Sequence, residues 1–204
     1  DHTVLRSGRI KTLQAPGGSG ALRVGAELIL RAKKDSRIWV GTPTWPNHIP
    51  LLGGAGLQIA EYPYYDIATR KINIDGMLQT LRSVPDGDIV LLHGCCHNPT
   101  GADLTHDEWD EITKIALERG FIPYIDTAYQ GLGVGLDADA YGIRSMARSL
   151  PELIVASSCS KNFGLYRERT GSITFLSETS AKAEIVVGQA MAVARQLYSM
   201  PPAH

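Results

Sequence analysis

Residues 121–126 read Phe-Ile-Pro-Tyr-Ile-Asp, an apolar run that ends on a carboxylate. Two more runs have the same form: Ile-Val-Leu-Leu at 89–92 leads into His93, and Leu-Ile-Val-Ala at 153–156 leads towards Lys161. Short apolar runs separated by helical patterns are typical of parallel strands that are buried on both faces. We therefore predict an α/β fold: a doubly wound, mostly parallel sheet with helices on both faces.

The rest of the chain alternates in the same way, and we expect one domain over residues 1–204 because no internal repeat or low-complexity linker interrupts it. Helices are predicted near 20–33, 74–84, 104–119, 138–149 and 180–198. Strands are predicted near 38–40, 57–62, 88–93, 121–126, 153–157 and 172–176. The third helix opens on a capping box, Thr105 with Glu108, and the last strand is expected as an edge or antiparallel neighbour.

Polar residues that follow the strands are the candidates for a site, because ligands of open α/β sheets bind beyond the carboxyl ends of the strands. The residues expected to converge on one crevice are His93, Asn98, Asp126, Tyr129 and Lys161. Lys161 follows a buried strand among small hydroxyl side chains, where a shielded amine can act as a nucleophile and form Schiff bases. The alternative is a surface lysine in a loop.

The turn Gly17-Gly18-Ser19-Gly20 precedes a helical pattern with Leu22, Ala26 and Ile29 on one face. Free backbone amides at a helix N-terminus bind anions, so this turn is a candidate phosphate site, although such turns are also ordinary loops. The spacing is neither that of dinucleotide-binding loops nor that of P-loops, which argues against both.

Composition excludes several classes of function. With 204 residues, 44% hydrophobic, and a net charge of -1, the chain can bury a full core and gives no reason to expect nucleic-acid binding. No apolar run approaches the roughly eighteen residues of a membrane span, and the start does not resemble a signal peptide. We expect a cytoplasmic protein, since three cysteines do not make a disulfide framework.

An alternative is a metal site formed by His93, Cys95, Cys96 and His97, since all these side chains bind zinc. We expect none, because adjacent cysteines on extended backbone point apart and structural zinc sites usually space their ligands by two to four residues. Cys95, Cys96 and Cys159 are instead predicted to be small buried packing residues.

A set of motifs occurs along the chain in a fixed order. They are PGGSGAL at 16–22, TWPNH at 44–48, HGCCHNPTG at 93–101, DTAYQG at 126–131, SCSK at 158–161, ER at 168–169 and YSMPP at 198–202. Together they resemble the aspartate/aromatic aminotransferase family, the class I aminotransferases, whose cofactor is pyridoxal 5'-phosphate. The resemblance spans essentially the whole chain, and its specificity lies in the ordered set.

The resemblance implies a role for each site residue. Lys161 would form the Schiff base with the cofactor, and Asp126 would keep the ring nitrogen protonated, oriented by His48 and His93. The remaining residues implied to contact the cofactor or substrate are Trp45, stacked on the ring; Asn98 and Tyr129, at its phenolic oxygen; Gly18, Ser19, Ser158 and Arg169, at its phosphate; and Trp45, Asn98 and Arg195, at the substrate.

The resemblance covers about the middle half of an aminotransferase subunit. It implies the large domain of the fold type I pyridoxal-phosphate enzymes, without the N-terminal segment or the C-terminal small domain. The implied activity transfers an amino group between aspartate or glutamate and 2-oxo acids in a homodimer, with aromatic amino acids as the nearest alternative. Cys159 and Met200 depart from the family pattern. A non-catalytic cofactor-binding or dimerising fragment, and a lyase or decarboxylase on the same cofactor, remain alternatives.

Overall fold

The computed structural model describes residues 2–203, with the side chains of residues 3–203, so the two ends of the predicted domain lie outside the described residues. The strands in this range are β1 (Ile10–Pro16), β2 (Arg37–Thr42), β3 (Gln58–Pro63), β4 (Tyr65–Asp66), β5 (Lys71–Ile72), β6 (Ile89–His93), β7 (Ile122–Thr127), β8 (Leu153–Ser158) and β9 (Thr170–Leu176). The helices are α1 (His2–Arg6), α2 (Gly17–Ala32), α3 (His48–Gly53), α4 (Ile74–Leu81), α5 (His106–Arg119), α6 (Tyr141–Ser149) and α7 (Ser180–Leu197).

The predicted mostly parallel α/β sheet is confirmed. Its strand order is β1-β9-β8-β7-β6-β2-β3, and β4 pairs with β5 in a separate hairpin. Strands β3, β2, β6, β7 and β8 are parallel, whereas β9 is antiparallel to both β8 and β1. The chain moves outwards from β2 to β3 and then returns to place β6 on the other side of β2. The connections that follow β2 and β6 therefore run in opposite directions. They leave a crevice at the carboxyl ends of these two strands.

Helices cover both faces of the sheet. Helices α2 and α7 pack on one face around Leu22 and Ala26, and helices α4, α5 and α6 pack on the other around Trp109 and Ile112. The apolar face predicted for α2, with Leu22, Ala26 and Ile29, is thus buried in the structure. Within the described residues, none of the helices combines the length and the apolar character needed to cross a membrane.

The capping box predicted for α5 is confirmed. Thr105 Oγ1 accepts a hydrogen bond from the Glu108 amide at 3.3 Å, and Glu108 Oε2 accepts one from the Thr105 amide at 2.7 Å. The helix ends at Gly120, whose φ of 75° is readily adopted only by glycine. These two ends determine where β7 begins, directly after the helix.

Elements of two kinds were absent from the prediction. The edge strand β1 carries exposed Thr12 and Gln14 among its apolar residues, so it lacks the continuous apolar run that marked the central strands. Short α1, α3 and the β4–β5 hairpin have too few residues for a periodic signal. The antiparallel placement of residues 172–176 is confirmed, but β1 covers the outer side of β9, so β9 is not an edge strand.

Helix α2 approaches β7 unusually closely at Gly25. A Cβ atom at this position would lie 2.1 Å from the hydroxyl oxygen of Tyr124, which is fully buried. That hydroxyl donates a hydrogen bond to the backbone carbonyls of Ala21, at 3.2 Å, and Leu22, at 3.1 Å. The contact places the N-terminus of α2 beside the carboxyl ends of the strands.

We predict that Gly25→Ala destabilises the fold by about 1–3 kcal/mol, because the added methyl group must displace the buried Tyr124 ring. The matched control is Gly188→Ala in the exposed part of α7, where a Cβ atom meets nothing within 4 Å. There the same substitution should stabilise by about 0.5–1 kcal/mol. Urea unfolding of both variants measures the difference. Equal changes in the free energy of unfolding would mean that the α2–β7 contact leaves room for a methyl group at Gly25.

Candidate functional site

A pocket of about 200 Å³ lies at the carboxyl ends of the parallel strands, near the crevice between β2 and β6. Its lining comprises Gly18, Ser19, Leu22, Trp45, His93, Cys95, Asn98, Asp126, Ala128, Tyr129, Ser160, Lys161, Tyr166 and Arg169. The polar residues that the sequence predicted to converge all lie in this lining. The parallel strands bring them together because each ends at the same edge of the sheet.

Asp126 is held by a chain of hydrogen bonds that runs through buried His48 to His93, another residue of the pocket lining. His48 Nε2 donates to Asp126 Oδ2 at 2.9 Å, and His48 Nδ1 lies 2.7 Å from Thr44 Oγ1. The same hydroxyl lies 3.1 Å from His93 Nε2. Because a hydroxyl has one hydrogen, Thr44 donates to one histidine and accepts from the other. This chain orients the carboxylate and leaves its second oxygen for a ligand.

Two histidines in this region, His93 and His97, are uncharged. Burial, together with the neighbouring His97, lowers the pKa of His93 well below its ordinary value, and burial lowers the pKa of His97 to about 4. His97 stacks between Tyr64 and His93, with ring centroids 4.0 and 4.1 Å away. Asp103 holds the loop by accepting from the amides of Cys96, at 2.7 Å, and His97, at 2.9 Å. These rings therefore support the site by packing and hydrogen bonding.

An anion seat forms where α2 begins. Gly17 is buried with φ +70°, and a Cβ atom there would lie 2.4 Å from Arg169 Nη2. A Cβ atom at Gly18 would lie 3.3 Å from Cβ of the buried Ser158. The bare glycine backbone thus lets a guanidinium and a hydroxyl approach the amides of the first helical turn. Such a set of donors, at the positive end of a helix dipole, suits a phosphate group.

Lys161 lies in the loop that joins β8 to β9. The two strands pair with Ser158 opposite Gly171, and the Cys159 amide donates to the Thr170 carbonyl at 3.0 Å, so the loop is closed at its base. Lys161 is half-buried, and its Nζ lies 4.6 Å from the centroid of the Tyr166 ring. The amine therefore faces an aromatic surface inside the pocket.

The walls of the pocket are formed by Trp45, Asn98 and Tyr129, all half-buried. Trp45 contacts His48 edge to face, with ring centroids 5.2 Å apart. The Asn162 side chain donates to the Gln130 carbonyl at 3.1 Å and so ties the lysine loop to the loop that carries Tyr129. An amine, a carboxylate and an anion seat around an aromatic wall suit a phosphorylated carbonyl compound with a flat ring.

Some predicted residues lie beside the pocket or away from it. His48 and Ser158 are buried behind its lining, in contact with Asp126 and Ser160 respectively. Arg195 lies on the exposed side of α7, where its guanidinium donates to Ser199 Oγ at 2.5 Å. The structure does not bring Arg195 to the pocket of its own chain.

Two contributors were missed by sequence reasoning. Thr44 links His48 to His93, and its spacing of four residues from His48 was the available signal. Tyr166 lines the pocket against the amine of Lys161, and its position in the same loop was the only indication.

The reason for excluding a metal site at the cysteines was wrong. Cys96 has φ +48°, so the backbone is not extended there, and the ligand atoms of Cys95, Cys96 and Asp139 lie within 4.8 Å of one another. The prediction of buried packing residues holds for Cys95 only, because Cys96 and Cys159 are partly exposed.

Comparison with known proteins gives a consistent result. A family model described as aminotransferase class I and II matches residues 1–204. The chain is 47% identical over 204 residues to an aspartate aminotransferase of Haemophilus influenzae and 47% identical over 202 residues to an aromatic-amino-acid aminotransferase of Escherichia coli. The two matches cover 100% and 99% of this chain but only 52% and 51% of the relatives, so the chain spans about half their length.

A solved structure of the same family matches the fold of this chain. The aromatic-amino-acid aminotransferase of Burkholderia pseudomallei, solved covalently bound to pyridoxal phosphate, superposes with a TM-score of 0.96 at 40% identity. The match covers 98% of this chain and 50% of that one.

We predict that Arg169→Met weakens the binding of inorganic phosphate by about 1.5–3 kcal/mol, roughly ten- to hundredfold, because it removes charge-assisted hydrogen bonds from the anion seat. Arg167→Met in the same loop is the matched control, since Arg167 is exposed and outside the pocket lining. Titration calorimetry with phosphate measures both. An equal loss of phosphate affinity in the two variants would mean that only the overall charge matters, which would contradict the assignment of Arg169 to the anion seat.

Proposed function

The chain belongs to the family of class I and II aminotransferases, and on this premise we propose that it forms the cofactor-binding large domain of a pyridoxal-phosphate-dependent aminotransferase. The observation that carries the proposal is one pocket that contains the Lys161 amine, the Asp126 carboxylate and the anion seat at α2. We propose further that this domain belongs to a longer subunit, because the matched relatives are about twice as long. We also propose that this subunit is cytoplasmic, since its three cysteines are free.

The pocket fits the cofactor at both of its ends. The phosphate would be held by the amides around Gly18 and Ser19, the Ser158 hydroxyl and the Arg169 guanidinium. A side chain at Gly17 or Gly18 would occupy the space of this anion seat. Asp126, oriented by His48, would accept a hydrogen bond from the protonated ring nitrogen. When bound, pyridoxal phosphate supplies a carbonyl carbon that condenses with amines and a ring that withdraws electrons.

The walls would orient the ring and exclude water. Trp45 offers a flat apolar surface for the ring face, and its packing against His48 fixes its position. Asn98 and Tyr129 would donate hydrogen bonds to the phenolic oxygen. Each of these contacts uses a side chain that is already half-buried, so little conformational freedom is lost on binding.

Lys161 has two tasks in the proposed reaction. Its Nζ would bind the carbonyl carbon of the cofactor, and, once an amino acid has taken that place, would accept the proton from the substrate Cα as a general base. The centroid of the Tyr166 ring lies 4.6 Å from Nζ and forms part of the pocket lining beside the amine. The same amine can return the proton because the loop is closed at its base and keeps it near the pocket.

The proposed substrates are aspartate or glutamate with 2-oxoglutarate or oxaloacetate, and the position of Arg195 supports them. This guanidinium is exposed at the end of α7 and lies outside its own pocket, and the same segment carries the exposed apolar side chains of Met191, Leu197 and Met200. We propose that this surface meets a second copy of the chain in a homodimer and that Arg195 pairs with the distal carboxylate in the partner's pocket. Neither nucleic acid nor a membrane is a proposed partner.

Aromatic amino acids are the second candidate substrates. Relatives named for aspartate and for aromatic amino acids match this chain with the same 47% identity, so identity does not separate the two. A lyase or decarboxylase would need the same lysine and carboxylate, and a fragment that only binds the cofactor would use both without turnover.

We expect Lys161→Ala to abolish both turnover and the attachment of pyridoxal phosphate that borohydride reduction makes permanent, because no other amine lines the pocket among the residues that the structure describes. Peptide mapping after reduction locates the label. Lys182→Ala is the control, since Lys182 is exposed and pairs with Glu178 on the surface. Label on Lys182 or Lys114, or full turnover without Lys161, would contradict the proposal.

For substrate choice we expect Arg195→Leu to cost about 2–5 kcal/mol in kcat/KM for aspartate while sparing phenylalanine, because only the dicarboxylate loses an ion pair. The variants are compared in the full-length protein, with Arg82→Leu as a control arginine that pairs with Glu111 far from α7. An equal loss for both substrates would make Arg195 structural. An unchanged kcat/KM would mean that it does not reach a substrate.

A further inference from the structure

Cys95 and Cys96 are adjacent in the sequence, and their thiols are also adjacent in space. Alternation along extended backbone would point them apart, but the φ of +48° at Cys96 turns its side chain back. The sulfur atoms and a carboxylate oxygen of Asp139 lie within 4.8 Å of one another. The chain therefore presents a paired dithiol.

The dithiol is held in this arrangement by the backbone around it. Asp103 accepts hydrogen bonds from the amides of Cys96 and His97, at 2.7 and 2.9 Å, and the Gly94 amide donates to the Asp126 carbonyl at 2.8 Å. A ligand that bridges the two sulfur atoms would therefore need only side-chain rotation, and the backbone that carries them is already ordered.

A zinc ion does not suit this pair. The Asp139 carboxylate already accepts hydrogen bonds from the amides of Gly131 and Gly133 at Oδ2 and of Val134 and Gly135 at Oδ1. These occupy the roughly four lone-pair positions of a carboxylate. Only two sulfur ligands remain, whereas structural zinc sites use four ligands.

The two thiols are also protonated. Burial raises the pKa of Cys95 to about 12, and burial with the nearby Asp103 carboxylate raises the pKa of Cys96. A suitable ligand must therefore take two neutral thiols and leave a neutral product, since an isolated charge in this half-buried position is costly.

We propose that Cys95 and Cys96 form a chelating site for thiophilic, trivalent metalloids of the arsenic(III) class. With an organoarsenic(III) oxide, each sulfur forms one bond to arsenic, and the two thiol protons leave with the oxide oxygen as one water molecule. Arsenic stays trivalent, and no oxidant or reductant is needed. The product is neutral, and soft sulfur ligands match a soft centre.

Access and consequence both follow from where the thiols lie. Cys96 is partly exposed and would react first, after which the buried Cys95 closes the ring in an intramolecular step. Cys95 also lines the pocket next to Asn98. An arsenic atom bridged there would narrow the pocket on the side of this residue.

The test is intact-mass measurement of the folded protein with phenylarsine oxide. We expect one phenylarsenic adduct, with one water lost, that survives excess monothiol and is removed by 2,3-dimercaptopropanol. Cys96→Ser and Cys95→Ser should each weaken binding on the order of a hundredfold, because the second bond is lost. Cys159→Ser removes a lone, partly exposed thiol and should change nothing.

Three outcomes would overturn the inference. They are an adduct that monothiol displaces, an adduct of equal affinity in Cys96→Ser, and an adduct that forms only after the protein is unfolded by urea. Circular dichroism of each serine variant separates loss of the site from loss of the fold. The measurement needs no cofactor and no turnover, so its result is independent of the proposed aminotransferase activity.

Discussion

The close packing of α2 on β7 is the constraint on which the site depends. Tyr124 and Asp126 are two residues apart on β7 and therefore face the same side of the sheet. Tyr124 binds the carbonyls of α2 from below Gly25, and Asp126 points into the pocket above. One strand thus sets the separation between the helix N-terminus, where a phosphate would bind, and the carboxylate that would meet a ring nitrogen. Any loosening of this contact would change the length of the pocket itself.

The charges around the pocket are arranged with few groups. Asp126 is supported by a histidine and a threonine hydroxyl, and the further histidines, His93 and His97, are kept neutral by burial. At the other end, Arg169 and the helix dipole supply positive potential. A ligand with an anionic group at one end and a protonated ring at the other therefore meets complementary charge at both ends.

Sequence reasoning recovered the features that depend on local pattern. The central strands β6, β7 and β8 were predicted because burial on both faces produces continuous apolar runs, and the ordered motifs identified the family, which the comparisons confirm. It failed where distant residues decide a conformation. The positive φ of Cys96 accompanies a hydrogen bond that its amide donates to Asp103, seven residues away, and alternation rules do not contain that contact. Edge strand β1 gave too weak a pattern because one side of it faces solvent.

The loop between β8 and β9 places its two reactive side chains on either side of an exposed tip. Lys161 and Arg169 lie near the paired base, and Phe163 and Leu165 between them are exposed to solvent. Exposed loop tips of this kind are preferred sites of proteolytic cleavage. A ligand attached to Lys161 and gripped by Arg169 would join the two ends of the loop through itself. Even a chain cut at the tip would then stay connected across the ligand. The separation of the two fragments after cleavage would therefore report whether the ligand is bound.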